Sequence, residues 1–373
     1  MKKRINLISH FLGNEDQIIS DIRKIFKSSQ LTNNGPYHFK FINKIASYLN
    51  IKESNLGLAC NGTMALILGL KAMNIHSKVI VSPYTFPATI NFLDFLNIEP
   101  IFCDIDKETL CIDPSLVEKY IDKEVTAILL TNVYGNYPNY EVLQNIARKN
   151  KISIISDSSH AFLQTINGRS ILEFGDMSIM SLHASKLLNS IEGGIIYFKN
   201  KKFLNNFNLL KNFGIKDEIT INLPGINGKL NEIQCAVGIN NLKGLTSEIR
   251  ARKKIVNEYI KCFSKLGKKI KILLSKDNCS YQYMPFLFEG QINKKSKRDL
   301  IYESLKKRNI FSRKYFYPLT SNYKFNRRYE TSSIDNLPCA NHISKNVLCL
   351  PLHGRMNKLD VMRIYKVVAS FYE

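Results

Sequence analysis

The stretch that decides the fold is GDMSIMSLHASKLLNSIEGGIIYF, from Gly175 to Phe198. An apolar, strand-like run leads into a polar turn that contains Lys186, and a second apolar strand, Gly193 to Phe198, follows. Three leucines surround the lysine in sequence: Leu182, Leu187 and Leu188. Desolvation lowers the pKa of an ammonium group, so such an amine can become a nucleophile that forms a Schiff base with an aldehyde. The pattern is typical either of a covalent cofactor anchor or of a surface lysine in a turn.

Length and charge restrict the class of protein. At 373 residues the chain is long enough for two domains, or for one large domain with an appendage. Lys and Arg (53) exceed Asp and Glu (31) by 22, an excess found in proteins that bind nucleic acids, membrane surfaces or phosphorylated small molecules. Because the basic residues are scattered, without a run of five or six, we expect no nucleic-acid partner and a field that favours anionic ligands.

The cysteines and the apolar segments predict where in the cell the protein is located. The eight cysteines are widely spaced, and none forms C-x-x-C, so we predict free thiols, no metal site and a reducing, cytoplasmic location. The N-terminal sequence MKKRINLISHFLG has only a broken apolar stretch and no cleavage site of small residues. No window approaches 18 uninterrupted apolar residues, so we expect no membrane-spanning segment.

The first half of the chain alternates strand and helix patterns. Two amphipathic helices are predicted first, Glu15 to Ser28 and Phe39 to Leu49. From Leu56 onward the predicted strands are NLGLACN, KVIVSPY, EPIFCDI, VTAILLTNVY, ISIISDSSH, MSIMSLH and GGIIYF. The predicted helices between them are Thr63 to Met73, Phe86 to Leu96, Ser115 to Ile121 and Tyr140 to Lys149. Continuous apolar strands separated by such helices indicate an α/β fold with a mainly parallel sheet covered on both faces.

The pattern changes after Phe198. Helices are predicted at Lys201 to Asn212, Leu230 to Leu242 and Ser247 to Leu266. A smaller α+β segment follows, with the strands KIKILL and SYQYMPFLFEG, a helix from Ser296 to Arg308 and a final helix after LPLHGRMN. We therefore predict a large domain over residues 1–250, including the N-terminal helices, and a small C-terminal domain over residues 251–373.

Several strand ends carry groups that can bind a phosphorylated, flat cofactor. Gly62, Thr63 and Met64 open a helix directly after a strand, and a helix N-terminus with a close-approaching glycine can hold phosphate; an ordinary helix cap has the same pattern. Ser181 precedes the lysine, and its hydroxyl can reach a phosphate or face solvent.

Two other strand ends carry candidate residues. Asp157 ends the apolar run of one predicted strand, and His160 lies three residues further on. Phe86 follows the end of another predicted strand. A carboxylate at the carboxyl end of a parallel strand can pair with a protonated pyridine nitrogen, or it can cap the next helix. The histidine can contact the cofactor ring or serve structure alone. The phenylalanine can stack on the ring, although aromatic residues are more often part of the core.

These parts occur together in one known family. The ordered set NGTMAL, SPYTFPAT, DIDKETLCID, VYGNYP, DSSHAF, FGDMSIMSLHASK with its trailing EGG, KNFGI, GINGKLNEIQCAVG, RKYFYPL and VLCLPLHG closely resembles the DegT/DnrJ/EryC1/StrS sugar aminotransferases. The likeness covers nearly the whole chain. It implies the aspartate-aminotransferase-like fold (fold type I), pyridoxal 5'-phosphate as cofactor, and a homodimer with its active sites at the subunit interface.

The resemblance also implies roles by motif position. Lys186 would form the Schiff base and act as general acid and base, and Asp157 would pair with the pyridine nitrogen. His160 would contact the ring hydroxyl, and Phe86 would pack on the ring. Four residues would hold the phosphate: Gly62, Thr63, Met64 and Ser181. Asn227, in GINGKL, would reach the phosphate bound by the neighbouring subunit.

Within the family, the LKNFGI, PGINGKLNEIQ and RKYFYPL stretches look most like enzymes that use L-glutamate to aminate C4 of a nucleotide-linked 4-keto-6-deoxyglucose, with dTDP as the nucleotide. Enzymes that act at C3 or on GDP sugars share most of these motifs and remain alternatives. Tyr315 and Tyr317 are candidate contacts to the sugar or nucleotide, and packing roles are the alternative.

The sequence departs from the family pattern at a few positions. Ser158 and Ser159 stand where two alanines are frequent, Leu163 where a glycine is frequent, and Asn132 where a histidine is often found. None removes a group that the chemistry requires. We expect Asn132 and Leu163 to alter the pocket wall.

Two other functions compete with amination. Relatives with this fold that dehydrate sugars place a histidine at the anchoring position, whereas this chain has Lys186, so amination is preferred. A DNA-binding regulator is suggested by charge alone, and no helix-turn-helix or basic arm supports it.

Overall fold

The computed structural model describes residues 3–275, 277 and 279–372. Its α-helices are α1 (Glu15–Ser28), α2 (Pro36–Leu49), α3 (Gly62–Ala72), α4 (Phe92–Phe95), α5 (Pro114–Val117), α6 (Tyr140–Asn150), α7 (Lys201–Leu210), α8 (Glu232–Phe263), α9 (Lys297–Lys306), α10 (Pro338–Asn346) and α11 (Lys358–Ala369). Its strands are β1 (Leu56–Ala59), β2 (Lys78–Val81), β3 (Glu99–Phe102), β4 (Val125–Thr131), β5 (Ser153–Asp157), β6 (Thr165–Ile166), β7 (Arg169–Ser170), β8 (Met177–Ser181), β9 (Gly194–Phe198), β10 (Lys271–Ile272), β11 (Met284–Leu287), β12 (Gln291–Ile292), β13 (Lys295–Ser296) and β14 (Val347–Leu350).

The central sheet has the strand order β1-β9-β8-β5-β4-β2-β3. Its inner pairs are parallel, and β9 pairs antiparallel with both β1 and β8. The predicted α/β fold with a mainly parallel sheet is therefore confirmed. Because β1, β2, β4, β5 and β8 run in the same direction, the residues that follow them meet at one edge of the sheet.

Apolar side chains cover both faces of this sheet. Along β4, Ile128 and Leu130 belong to one core cluster, whereas Ala127 and Leu129 belong to another on the opposite face. Successive side chains of a strand point to opposite faces, so a strand that is buried on both sides needs a continuous apolar run. The helices that flank the sheet also contribute to both clusters.

One long helix replaces two predicted ones. The sequence pattern predicts helices at Leu230 to Leu242 and Ser247 to Leu266, but α8 is continuous over 32 residues. Gly244, which stands between the two predicted helices, lies within α8. A Cβ at this glycine would be 2.7 Å from the Phe11 ring, so the glycine allows a close contact with the N-terminal segment instead of ending the helix.

A second correction concerns the segment after β2. The predicted helix from Phe86 to Leu96 forms only a 3-10 turn, Pro87–Thr89, and the single turn α4. The chain between these turns is bent, and Ile90 leaves the helical region with φ −123° and ψ −41°. Thr89 is 1% exposed, and its hydroxyl forms an internal hydrogen bond that a regular helix pattern does not predict.

The C-terminal part contains a separate sheet with the order β10-β11-β14. It packs on a third core cluster to which α8, α9 and α11 contribute. The pattern did not predict α10, which has a polar face and lies directly before β14. The division near residue 250 remains a prediction, and it falls inside α8.

No α-helix within residues 3–275, 277 and 279–372 combines the length and apolar character needed to cross a membrane.

Candidate active site

A cavity of about 580 Å³ opens at the carboxyl edge of the parallel strands. Its wall brings together most of the residues that the sequence singled out: Gly62, Thr63, Phe86, Asp157, His160, Ser181, Lys186 and Tyr315. These residues come from five separate segments of the chain. The structure thus places these residues around one cavity, and their roles remain predictions.

Lys186 stands in the turn between β8 and β9. Its N–H donates to His183 O at 2.8 Å, and the next N–H, of Leu187, donates to the side chain of Gln282 at 2.7 Å. The Gln282 amide donates in turn to Ser185 O at 3.1 Å, so it fixes both sides of the lysine. Burial lowers the pKa of Lys186 to about 8, while the negative charge of Asp157 acts in the opposite direction. This amine is therefore available as a nucleophile and base near neutral pH.

A chain of hydroxyl groups ends on Asp157, which is 7% exposed. Thr89 Oγ1 donates to Asp157 Oδ2 at 2.7 Å, and Thr85 Oγ1 donates to Thr89 Oγ1 at 3.0 Å. The Thr85 proton is used there, so Thr131 is the donor in the 2.8 Å bond between Thr131 and Thr85. Three aligned hydroxyl dipoles thus point toward the carboxylate and stabilise its negative charge.

His160 is held as a neutral imidazole. The Tyr134 N–H donates to His160 Nδ1 at 3.3 Å, which leaves the proton on Nε2. Burial, followed by the charge of Lys186, lowers the pKa of His160 well below its ordinary value. The ring stacks on Phe316, with 5.7 Å between centroids, and meets the edge of Tyr283 at 4.6 Å. A fixed Nε2–H donor can contact an oxygen on a flat ring.

The start of α3 forms a cradle. Asn61 caps the helix by accepting the Met64 N–H at 2.8 Å, and its carbonyl accepts the Ala65 N–H. The N–H groups of Gly62 and Thr63 remain on the cavity wall as donors of the first turn. A Cβ on Gly62 would be 3.1 Å from Cβ of Ser181, so glycine is needed for this close approach.

Three predicted site residues, Met64, Asn227 and Tyr317, do not line the main cavity of this subunit, which is the expected result only for Asn227, whose predicted role is at the neighbouring subunit. Met64 is not on the cavity wall, and its N–H is used by the cap. Asn227 is an exposed residue away from the cavity of its own subunit. Tyr317 borders an adjoining hollow only, and Phe86 is 50% exposed at the mouth rather than a core residue.

The expectation that Asn132 and Leu163 alter the pocket wall is wrong. Neither residue lines the cavity. Asn132 is fully buried, and its amide donates to Ser158 Oγ at 2.8 Å and to Tyr140 Oη at 2.9 Å. Two of the departures from the family pattern thus pair with each other behind the wall. The neighbouring Ser159 is on the wall, where its hydroxyl accepts the Ser181 N–H at 3.1 Å.

Sequence reasoning missed several residues of the wall. They include Thr85, Thr131, Tyr283, Glu192 and Arg313. The two threonines follow or end predicted strands, so their position was a usable signal. Tyr283 and Arg313 come from the C-terminal part of the chain, whose packing against the large sheet has no local sequence signature.

The sequence profile of the DegT/DnrJ/EryC1/StrS aminotransferase family matches residues 13–369. The chain belongs to this family. Among curated relatives it is 36% identical to the dTDP-4-amino-4,6-dideoxy-D-glucose transaminase of Escherichia coli, with 93% of each chain covered. It is 26% identical to the GDP-perosamine synthase of Caulobacter vibrioides over 88% of each chain.

Solved structures of aminotransferases share the fold. DesI, crystallised in the presence of its TDP-sugar product, aligns with a TM-score of 0.91 at 22% identity, covering 100% of this chain and 94% of DesI. PseC of Helicobacter pylori, an aminotransferase of pseudoaminic acid biosynthesis, aligns with a TM-score of 0.88 at 24% identity and covers 99% of both chains. The expected aspartate-aminotransferase-like fold is therefore confirmed.

Members of the DegT/DnrJ/EryC1/StrS family are enzymes that depend on pyridoxal 5'-phosphate. The cavity fits this cofactor on three structural grounds. It contains a lysine with a lowered pKa, a buried carboxylate that can face a pyridine nitrogen, and a glycine-lined helix start for a phosphate. These three groups can contact the aldehyde, the pyridine nitrogen and the phosphate of one flat molecule.

The pKa of Lys186 predicts how cofactor capture depends on pH. Only the neutral amine attacks an aldehyde, and the neutral fraction rises about tenfold per pH unit below the pKa. When pyridoxal phosphate is added to the cofactor-free protein, the initial rate of visible absorbance gain should rise toward pH 8 and level off above about pH 9. A rate that keeps rising through the ordinary lysine value of 10.5 would contradict the lowered pKa. Replacing Asp157 by Asn should move the midpoint to lower pH, because the charge that raises this pKa is lost.

The hydroxyl chain predicts a role for Thr89, which does not line the cavity. Thr89→Val keeps the side-chain shape but removes the donor to Asp157, a bond of about 1.5–3 kcal/mol for a charged acceptor. We expect cofactor affinity, measured by absorbance titration, to fall roughly 10- to 100-fold. Thr126→Val is the matched control, because Thr126 lies at the opposite end of β4 and donates to His76 O. Equal affinities in the two variants would contradict the role of the chain.

Proposed function

We propose that the protein transfers the amino group of L-glutamate to the C4 keto carbon of a nucleotide-linked 4-keto-6-deoxyhexose. The favoured acceptor is dTDP-4-dehydro-6-deoxy-D-glucose, and the product is dTDP-4-amino-4,6-dideoxy-D-glucose. The observation that carries the proposal is the position of Lys186 and Asp157 on one cavity wall. The relatives in Escherichia coli and Shigella dysenteriae, 36% and 34% identical, support the choice of sugar and nucleotide.

Lys186 is the group that moves protons in both halves of the reaction. Its neutral amine takes the Cα proton of L-glutamate, and its ammonium form later returns a proton to the former keto carbon of the sugar. When bound, pyridoxal phosphate supplies the electron sink that makes the Cα proton acidic. A pKa of about 8 suits a group that must accept and release a proton in each cycle.

The other residues of the wall hold the reacting groups in place. Asp157, whose carboxylate accepts the Thr89 hydroxyl, would pair with the pyridine nitrogen and favour its protonated form. His160 would donate from Nε2 to the ring oxygen of the cofactor, and the N–H groups of Gly62 and Thr63 would bind its phosphate together with Ser181. Phe86, half-exposed at the mouth of the cavity, would pack on the ring.

The active assembly in this proposal is a homodimer, with Asn227 at the phosphate site of the other subunit. The segment from Phe213 to Ile226 supports this assembly. It presents several large apolar side chains to solvent in the isolated subunit, with exposed fractions of 95% for Ile219 and 70% for Ile221. An exposed apolar patch of this kind marks a protein interface.

The GDP-linked 4-keto-6-deoxymannose is the second candidate acceptor. It is supported by the GDP-perosamine synthases of Caulobacter vibrioides and Vibrio cholerae, which are 26% and 24% identical to this chain. Amination at C3 is a third possibility of the same reaction type.

The test is incubation of the cofactor-loaded enzyme with L-glutamate and a panel of nucleotide sugars. The panel contains dTDP- and GDP-linked 4-keto sugars and a dTDP-linked 3-keto sugar, and NMR identifies the aminated carbon. We expect amination at C4 of the dTDP sugar with the highest kcat/KM. Preference for the GDP sugar, or an amino group at C3, would replace the proposed acceptor. No amination of any member would refute the proposal.

A further inference from the structure

A second hollow of about 310 Å³ adjoins the main cavity. The two spaces share the residues at their junction: Phe86, Arg313, Tyr315 and Phe316. The outer hollow is rich in aromatic side chains, with Tyr302, Tyr317 and Tyr323 on its wall. Such rings offer flat faces on which a nucleic-acid base can stack.

Arg313 differs from the other cations around this hollow. Lys314 Nζ lies 2.5 Å from Asp299 Oδ1, and Arg298 Nε lies 2.7 Å from the same oxygen. The guanidinium of Arg313 has neither a hydrogen-bond nor an ion-pair partner within the part of the chain that the structure describes, and it is exposed. A guanidinium without an internal partner at a cavity junction is suited to a ligand that carries phosphate or carboxylate oxygens.

The backbone of Arg313 is fixed. Its N–H donates to Cys349 O at 3.1 Å, and its carbonyl accepts the Cys349 N–H at 2.8 Å, so the residue is tied to the strand β14. The side chain therefore extends from a rigid base rather than from a mobile loop. A rigid base reduces the conformational entropy lost when a ligand binds.

We propose that Arg313 binds the diphosphate of the nucleotide sugar and that the tyrosine-lined outer hollow takes its nucleoside. The inference rests on the proposed function and names the part of the site that recognises the nucleotide. The reacting C4 must reach Lys186 inside the main cavity, and the diphosphate is attached across the same hexose ring, at C1. The site has the same order as the ligand: Lys186 in the main cavity for C4, the Arg313 guanidinium at the junction for the diphosphate, and aromatic rings in the outer hollow for the nucleoside. L-Glutamate needs the inner cavity alone.

Two probes separate the diphosphate from the base. Isothermal titration calorimetry of the cofactor-loaded enzyme with inorganic pyrophosphate measures the affinity for the diphosphate alone. The same titration with dTDP measures the affinity for the diphosphate and the nucleoside together. Arg313→Gln should weaken both ligands about tenfold or more, the size of a lost charge-assisted contact. Tyr323→Leu should weaken dTDP severalfold and leave pyrophosphate unchanged, because only the stacking face is removed. Arg148→Gln is the control for the loss of one positive charge, since Arg148 bonds only within α6.

A third measurement tests whether Arg313 instead binds a carboxylate group of L-glutamate. The half-reaction with L-glutamate alone, followed by loss of visible absorbance in a single turnover, should keep its rate and its glutamate dependence within about twofold in Arg313→Gln. The inference is overturned if Arg313→Gln binds dTDP like the unaltered enzyme, or if the glutamate half-reaction is impaired instead. An unaltered enzyme that aminates no nucleotide sugar would refute the proposed function itself, a result that does not depend on any variant.

Discussion

Replacing Lys186 by Ala is expected to lower turnover by at least about 10⁴-fold, because one amine serves as acid and base in both half-reactions. The visible absorbance that arises from the lysine–cofactor linkage should disappear in the same variant. Both effects are measured on purified enzyme, by product formation and by absorption spectroscopy. Added ethylamine should restore part of the rate, because the cavity of about 580 Å³ leaves room for a small free amine beside the shortened side chain.

The chain provides a matched control for this experiment. Lys211 is also buried, at 1% exposed, and burial lowers its pKa to about 8 as well. Its amine donates to Leu58 O at 3.2 Å and does not line the cavity. Lys211→Met should keep the visible absorbance and lose stability instead. Full turnover in Lys186→Ala, or loss of the visible absorbance in Lys211→Met alone, would contradict the assignment of the chemistry to Lys186.

Asp157→Asn is expected to have the second largest effect. The substitution keeps the size of the side chain but leaves a protonated pyridine nitrogen without its buried partner. Breaking a buried charge pair costs about 3–5 kcal/mol, which corresponds to a roughly 10²- to 10⁴-fold loss of kcat. The measurement is steady-state kinetics at saturating L-glutamate and nucleotide sugar.

A surface variant serves as the control for this loss of activity. The variant Asp157→Asn should lose some stability, because Thr89 donates to Oδ2 and the Ser159 N–H donates to Oδ1, and the single amide oxygen of asparagine can replace only one of these two acceptors. Asp122→Asn removes a carboxylate that pairs with Lys78 at the surface, and surface pairs contribute about 0–1 kcal/mol. A variant Asp157→Asn that is as active as Asp122→Asn would contradict the pairing with a ring nitrogen.

The sequence predicted the site through one physical rule. Parallel strands end at the same edge, so residues far apart in the chain, such as Gly62, Asp157 and Lys186, could be placed together before any coordinates were known. Roles such as the pairing of Asp157 with a pyridine nitrogen came from the family resemblance. The helix α1 was predicted with its observed bounds because its apolar periodicity is local.

Other features depend on contacts that no local pattern encodes. The two helices predicted on either side of Gly244 form one helix, and the ring that this glycine accommodates, Phe11, is more than 200 positions away in the chain. The Thr85–Thr89–Asp157 bonds join two loops, and they occur in a segment that a helical period described wrongly. Arg313 begins the RKYFYPL stretch that carries the family resemblance, but its lack of an internal partner is visible only in the structure, where Lys314 and Arg298 pair with Asp299.

The continuous helix α8 has a consequence for how the molecule melts. Its first half, with Ile239 and Leu242, packs in the core beneath the large sheet, and its second half, with Val256 and Tyr259, packs in the C-terminal core. Helix formation is cooperative along the chain, so disorder in one core removes the support of the helix in the other. Heat or denaturant should therefore take both regions apart in one shared transition, even though each has its own sheet.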